Sequence, residues 1–413
     1  MYVAPAISTL DIIKKTALAL LSRRYPSRRL FTYVGYYRPN PTQSAANTTT
    51  AHQRAKLSGF CAIIEQQSLG LVETLVMTGT HNIAVKRDAQ TPLLEKSPQP
   101  RLGDSEMSEF GSKSLTGKFA YIPKLIWIFT ESNFDTFVIP NTAFGVLGAF
   151  ASSILTEGFQ QPLTALGILK RFPLVLAFNW YSVFIFDLSN QRSLESIEED
   201  LINKPWRPIP TGKVTATEAR RSLFVAIPLV LLFNYLLGVW RQGFFILILT
   251  WMYNDIRGGD EVIRDLIISV AYGMFNSASL EIAVGGGEYS DINISRGGLI
   301  WTTMISAVIL TTMQVQDLKD QAGDRTRGRQ TIALWIGDRF SRLSIAFFVA
   351  FWSAACLLFW DLRPYGYVVP ALTGAVTAYR VLTMTAPKDD ATTWRWWCVW
   401  TITLYLLPVV SLI

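Results

Sequence analysis

Beyond residue 135 the chain runs through one mostly apolar stretch after another, near 136–155, 172–189, 222–238, 241–253, 265–285, 298–316, 343–361, 365–383 and 394–413. Most are close to the roughly 20 residues that a helix needs to cross the hydrocarbon of a bilayer; 241–253 is shorter. In that medium every backbone N–H and C=O must find its partner inside the protein, which limits such a stretch to helix. The fold class predicted is therefore all-α: a polytopic membrane bundle of about nine transmembrane helices in residues 126–413. Composition agrees, with half of the residues apolar, 13% aromatic and a mean hydropathy of +0.26.

Charge orients the bundle. The loops after the second, fourth, sixth and eighth runs carry sixteen Lys and Arg, against five in the opposite loops. Positive loops mark the cytoplasmic side, which also receives the N-terminus. Residues 1–125 differ in kind, because "YYRPNPTQSAANTTTAHQRAK" and "KRDAQTPLLEKSPQPRLGDSEMSEFGSKS" are polar and without sustained period. They read as largely disordered. The basic amphipathic opening "TLDIIKKTALALLSRRYPSRR" is read as a membrane-surface helix in preference to a mitochondrial presequence. A net charge of +7 suits an anionic leaflet, and no nucleic-acid partner is indicated.

Scarce residues narrow the chemistry. Cys61, Cys356 and Cys398 form no close pair, and His52 and His81 both lie in the N-terminal region. The helical body thus has no histidine for haem, redox-metal or Ser-His-Asp chemistry, and is left with carboxylates, amides and bases.

Two acidic segments follow apolar runs. "NQRSLESIEEDLINKPWRPIPTG", Asn190 to Gly212, places four acids within six residues; "QDLKDQAGDRTRGRQT" holds Asp317, Asp320 and Asp324. On one helix the latter spacing stacks three carboxylates along one side, where they repel one another unless a cation sits among them. Hard cations such as Mg²⁺ take carboxylate oxygens and commonly complete their shell with substrate phosphates. Lys204 and Arg207 follow the first segment, and Lys319, Arg325 and Arg329 lie in or after the second. Acids for a metal and bases for phosphate oxygens describe a diphosphate site. Four runs separate the segments, which returns both to one face. "YNDIRGGDEVIRD" joins them there with Tyr253, Arg257 and Arg264.

With "NKPWRPIPTG", "DLKDQAGDRTRGRQT" and the nine runs, residues 130–413 resemble the UbiA superfamily of intramembrane prenyltransferases. The resemblance implies a bundle around a central cavity, a prenyl diphosphate within it and Mg²⁺ bridging the diphosphate to both segments. Carried over, it makes Asn190, Glu199, Asp200, Asp317, Asp320 and Asp324 the metal ligands, with Asp200, Asp320 and Asp324 catalytic. It makes Lys204, Arg207, Tyr253, Arg257, Lys319 and Arg329 the diphosphate-binding set, with Asp187 orienting Asn190. Glu195 and Glu198 are read as solvated.

The first segment departs from the family's N-D-x-x-D-x-x-x-D. Anchored at Asn190, the aspartate positions hold Gln191, Leu194 and Glu198; anchored at "NKPWRP", they hold Ser193, Ser196 and Asp200. That form is similar to the fungal UbiA-type membrane terpene cyclases of the bergamotene-forming kind. The resemblance thus implies a Mg²⁺-dependent lyase of secondary metabolism in the endoplasmic-reticulum membrane, which ionises farnesyl diphosphate and cyclises the cation to a sesquiterpene. An aromatic prenyltransferase is the alternative. A transport or non-catalytic role, suggested by Glu281 and Arg380 within apolar runs, is a third. The "WRWWCVW" cluster is read as an interfacial aromatic belt.

Overall fold

Five helices are both long and apolar enough to cross a bilayer among the residues that the computed structural model describes, 115–158, 163–287 and 290–413. They are Ala165–Gln191, Ala216–Leu236, Arg264–Val284, Arg296–Asp317 and Asp338–Trp360. Each of the nine expected runs falls on helix, but those near 136–155, 241–253, 365–383 and 394–413 form elements too short or too polar to meet the same measure. The readings placed on residues 1–114, including Cys61, His52 and His81, lie outside the described residues.

In chain order the elements that matter are α1 (Leu115–Asn133), a π-helical turn (Phe134–Val138), α2 (Ile139–Phe150), α3 (Ser152–Leu155) and α4 (Ala165–Gln191). There follow α5 (Leu194–Asn203), α6 (Ala216–Leu236), α7 (Trp240–Asn254), a 3₁₀ turn (Gly258–Asp260) and α8 (Arg264–Val284). Next come α9 (Arg296–Thr312), a 3₁₀ turn (Met313–Asp317), α10 (Gln321–Arg327), α11 (Ile332–Trp335) and α12 (Asp338–Phe359). The chain closes with α13 (Val368–Thr383), α14 (Pro387–Tyr405) and α15 (Leu407–Val410). A two-residue ribbon, Thr156–Glu157 against Asn293–Ile294, is the only strand pairing among the described residues. α1 was not among the expected runs, because Lys118, Pro123 and Lys124 interrupt its apolar character.

Local chemistry starts the helices. Thr164, Ser193, Thr215 and Ser295 each accept a backbone N–H of the first turn of α4, α5, α6 and α9. Glu218 returns the bond to the Thr215 N–H at 2.9 Å, completing a reciprocal cap. α8 is the hub, packing on α2, α4, α7 and α9, while α12, α13 and α14 form a second row that returns to α2. The α2–α8 approach depends on Gly145, where a β-carbon would lie 2.5 Å from the Ser279 backbone.

The tryptophans of "WRWWCVW" correct the belt reading. Trp394, Trp397 and Trp400 are buried, and only Trp396 is exposed. Trp397 Nε1 donates to Thr312 Oγ1 and Trp400 Nε1 to Ser353 Oγ, each at 2.9 Å. Spaced three apart, they fall on the inward face of α14, where hydroxyls on α9 and α12 meet their ring N–H groups.

Candidate functional site

One cavity gathers the chemistry. Its charged end is formed by Glu199 of α5, Lys204 and Arg207 after it, Arg264 at the start of α8, Asp317, Asp320 and Asp324 around α10, and Arg329. Its other end is apolar and aromatic, with Phe137 of the π-helical turn, Phe186 of α4, Tyr253 of α7 and Phe275 of α8. Water centres have about 120 Å³ of room inside. Away from the charged end, Asn133, Asn190, Thr250, Tyr253 and Gln316 supply the polar side chains of the wall.

The two acidic segments meet directly. Asn203 donates its amide to the Asp320 carbonyl at 3.0 Å and accepts the Gly323 N–H at 3.1 Å. The loop after α7 is tied to both. Arg327 reaches Glu199 at 3.0 Å and Asp260 at 2.6 Å, Arg329 reaches Glu199 at 3.1 Å, and the Gln330 N–H donates to the Asp260 carbonyl. Arg327 and Asp260 were missed in the sequence as site residues, since one sits in a basic run and the other in a Gly-rich turn. Only their places between the other two segments give them their part.

The acids are not equivalent. Asp324 is buried, and neither of its carboxylate oxygens has a hydrogen bond, Arg329 approaching only to 3.5 Å. Burial, aided by Glu199 and Asp320 and opposed by Arg329 and Arg264, pushes its carboxyl up to about 6. Burial pushes the Asp320 carboxyl up as well, but Lys204 and Lys319 outweigh it and hold that group below its ordinary value. The Lys204 and Lys319 ammonium groups both engage Oδ2 of Asp320. Glu199 shares Oε2 between Arg327 and Arg329. Asp200 spends both oxygens on Arg207 Nη1, each at 3.0 Å, and is not on the cavity wall. Asp317 spends both on Arg264 Nη2, at 2.6 and 2.7 Å.

Asp317, Asp320 and Asp324 reach the cavity, but not as a stack on one helix. Asp317 ends a 3₁₀ turn, Asp320 precedes α10 and only Asp324 lies on it, so the backbone rotates Asp317 towards Arg264. Arg257 is a further correction. It takes a left-handed backbone conformation (φ 64°) after α7 ends, and its guanidinium turns outward to Glu195 and Asp260 with 54% of the side chain exposed. Lys319 lies over the Trp394 ring, 4.8 Å from its centroid, rather than on the wall. Burial lowers its ammonium below the ordinary value, with Lys204 adding to that and Asp320 opposing it. Asp187 does not orient Asn190: it accepts from Asn133 at 2.6 Å and faces Arg207 at 4.0 Å, while Asn190 donates to Asn254 at 3.0 Å. Glu198 is exposed.

Of the positions at which the first segment departs from the family pattern, Gln191 donates to the Phe129 carbonyl, Leu194 is exposed, Ser193 caps α5 and Ser196 meets Arg327. They serve structure here.

The residues fit a hard divalent cation. Asp324 presents two bare buried oxygens, Asp320 keeps Oδ1 outside its lysine contacts, and Asn190 adds an amide to the same wall. Among the described residues no three acidic, His or Cys side chains close a cage by themselves. An open set of one or two carboxylates is what Mg²⁺ uses when substrate phosphates supply the rest.

Comparison with known proteins follows the same lines. The chain is 29% identical over 283 residues to the diterpene cyclase eriG of Hericium erinaceus, covering 65% of this chain and 82% of that one. It is 24% identical over 307 residues to the fumagillin beta-trans-bergamotene synthase af520 of Aspergillus fumigatus, covering 69% and 92%. The polyprenyl transferase eriF of Hericium erinaceus is 28% identical over 287 residues, covering 66% and 89%. The model of the UbiA prenyltransferase family matches residues 163–406, more than half of the chain, from the start of α4 to the end of α14. With its membrane-length helices and that match, the chain is an integral membrane protein that belongs to the UbiA prenyltransferase family.

Proposed function

We propose that this chain is a Mg²⁺-dependent terpene cyclase that ionises a prenyl diphosphate, farnesyl diphosphate in the first instance, and closes the cation on its own chain. The observation that carries the reading is the division of one cavity into a charged end and an aromatic end. An amphiphile with a diphosphate head and a hydrocarbon tail fits that division.

When bound, Mg²⁺ would be held by Asp320, Asp324 and Asn190 with help from Glu199, and would neutralise charge on the departing diphosphate. Lys204, Arg207 and Arg329 hold the diphosphate oxygens from the opposite side of the charged end. Phe137, Phe186, Tyr253 and Phe275 turn aromatic faces and edges to the tail and exclude water while positive charge exists there. Residues 126–413 are the catalytic body, with 1–125 outside it, and the charged end faces the cytoplasm from the endoplasmic-reticulum membrane.

A second reading, prenyl transfer to an aromatic acceptor, is favoured by the likeness to a polyprenyl transferase. Membranes containing the protein, given Mg²⁺ and farnesyl diphosphate without acceptor, are expected to release diphosphate and a cyclic hydrocarbon. Release only when an aromatic acceptor is added would establish transfer instead. For the transport reading, Glu281 accepts from Gln242 at 2.8 Å and Arg380 donates to the Asp389 carbonyl at 3.4 Å, contacts that suit helix packing. No diphosphate release under either condition would favour that third reading.

A further inference from the structure

The two acidic segments repeat one arrangement. In the first, Asp200 grips Arg207 through both carboxylate oxygens at 3.0 Å. In the second, Asp317 grips Arg264 through both at 2.6 and 2.7 Å. All four side chains are buried. Both arginines line the charged end of the cavity, and each keeps nitrogen without a hydrogen bond: Nε of Arg207, and Nε and Nη1 of Arg264. A buried guanidinium with idle donors calls for an anion, because those N–H groups have left water and found no acceptor. Asp265 lies 3.3 Å from Arg264 Nε, which leaves Nη1 as the donor furthest from any carboxylate contact. Asp324 is the counterpart, with two buried carboxylate oxygens that lack donors.

Resting on the proposed diphosphate chemistry, we infer that Asp200 and Asp317 are positioning residues that aim Arg207 and Arg264 at the diphosphate, leaving the metal to Asp320 and Asp324. Arg264 thereby becomes a diphosphate ligand from the start of α8, in the part that the sequence had given to Arg257. A carboxylate engaged on both oxygens by a guanidinium holds that side chain in one geometry and keeps its fork pointed. Each acidic segment then divides its work, one acid fixing an arginine and the others facing the cation.

The test uses the full chain in lipid nanodiscs, with Mn²⁺ as a paramagnetic stand-in for Mg²⁺ and inorganic diphosphate as the anion. Mn²⁺ binding is followed by electron paramagnetic resonance at saturating diphosphate, and diphosphate binding by calorimetry at saturating Mn²⁺. Asp324→Asn is expected to weaken Mn²⁺ at least tenfold. Asp200→Asn and Asp317→Asn are expected to leave Mn²⁺ within about threefold and to weaken diphosphate about tenfold or more. Asp317→Asn alone strands a buried Arg264 charge, so Arg264→Gln and the double variant Asp317→Asn/Arg264→Gln complete a cycle in which both charges leave together. The double variant should bind diphosphate no more weakly than Arg264→Gln alone. Loss of Mn²⁺ binding in Asp200→Asn or Asp317→Asn to the extent seen in Asp324→Asn, or additive losses in the cycle, would overturn the inference while leaving the proposed function standing. A wild-type protein that binds neither Mn²⁺ nor diphosphate would overturn both.

Discussion

Asn203 and Gly323 stand 120 residues apart in the chain and meet at a 3.1 Å hydrogen bond, the Asn203 carbonyl oxygen accepting the Gly323 N–H. The same amide donates to the Asp320 carbonyl, so one side chain fixes the distance between the two acidic segments. A β-carbon at position 323 would lie 2.4 Å from Asn203 Nδ2. Gly323→Ala is therefore expected to push the segments apart and lower turnover at least tenfold while the bundle still inserts. Leaving the Asp320 carbonyl and the Gly323 N–H without partners, Asn203→Ala should cost about 1–3 kcal/mol for each buried group. Turnover in membranes, alongside thermal unfolding in detergent, separates the two effects.

Metal dependence should follow the ionisation of Asp324. Its carboxyl is pushed up to about 6, so the group is charged and ready for a cation above that pH. Below about pH 6 each unit of acidification should weaken apparent Mg²⁺ affinity up to tenfold, as proton and metal compete for the same oxygens. For folding the sign is reversed: the folded protein holds this proton more tightly than the unfolded chain, whose value is 3.8. Burying Asp324 thus costs stability above pH 6 and little below pH 4, the difference growing between them. Mg²⁺ titrations of turnover from pH 5 to 8, with Asp324→Asn as the inactive reference, give the check.

Arg257→Ala should leave turnover within about threefold. Its side chain faces Glu195 and Asp260 at the surface, where exposed ion pairs contribute about 0–1 kcal/mol. A hundredfold loss would place the guanidinium on the substrate after all.

The second row of helices is held by a buried pair, Arg342 donating from two nitrogens to the two oxygens of Asp390, each at 2.8 Å. Removing Asp390 strands the arginine inside the protein. Asp390→Ala is expected to destabilise by about 3–5 kcal/mol, seen as a lower unfolding temperature in detergent. Arg342→Met/Asp390→Leu together should recover much of the loss.

Phe275→Ala shortens the aromatic end, where Phe137 and Phe275 meet with centroids 5.1 Å apart. The extra room admits water and alternative foldings of the tail. Gas chromatography is expected to show several products, some of them alcohols, in place of one dominant hydrocarbon.

Much of this architecture was legible in the order of residues because two strong rules act locally. Apolar length gives helix, and acids beside bases after an apolar run give a polar end to a cavity. What local rules could not supply was direction. Asp317, Asp320 and Asp324 carry helical spacing, yet a 3₁₀ turn interrupts the helix and sends Asp317 to Arg264. Tyr253 and Arg257 are one turn apart on paper, yet α7 stops at Asn254 and Arg257 swings out. The tryptophans of α14 look interfacial until α9 and α12 provide hydroxyls for them. In each case the deciding partner lies far away in sequence.

The π-helical turn Phe134–Val138 makes the cavity sensitive to chain length rather than to composition. Such a turn accommodates a surplus residue within a helix, and removing one residue would restore ordinary winding and rotate α1 by about 100° relative to α2. Asn133 would leave Asp187, and Ser132 would leave Arg207. A point substitution at Asp135 or Thr136 changes a side chain; a single-codon deletion there would uncouple the first helix from the anion-binding arginine.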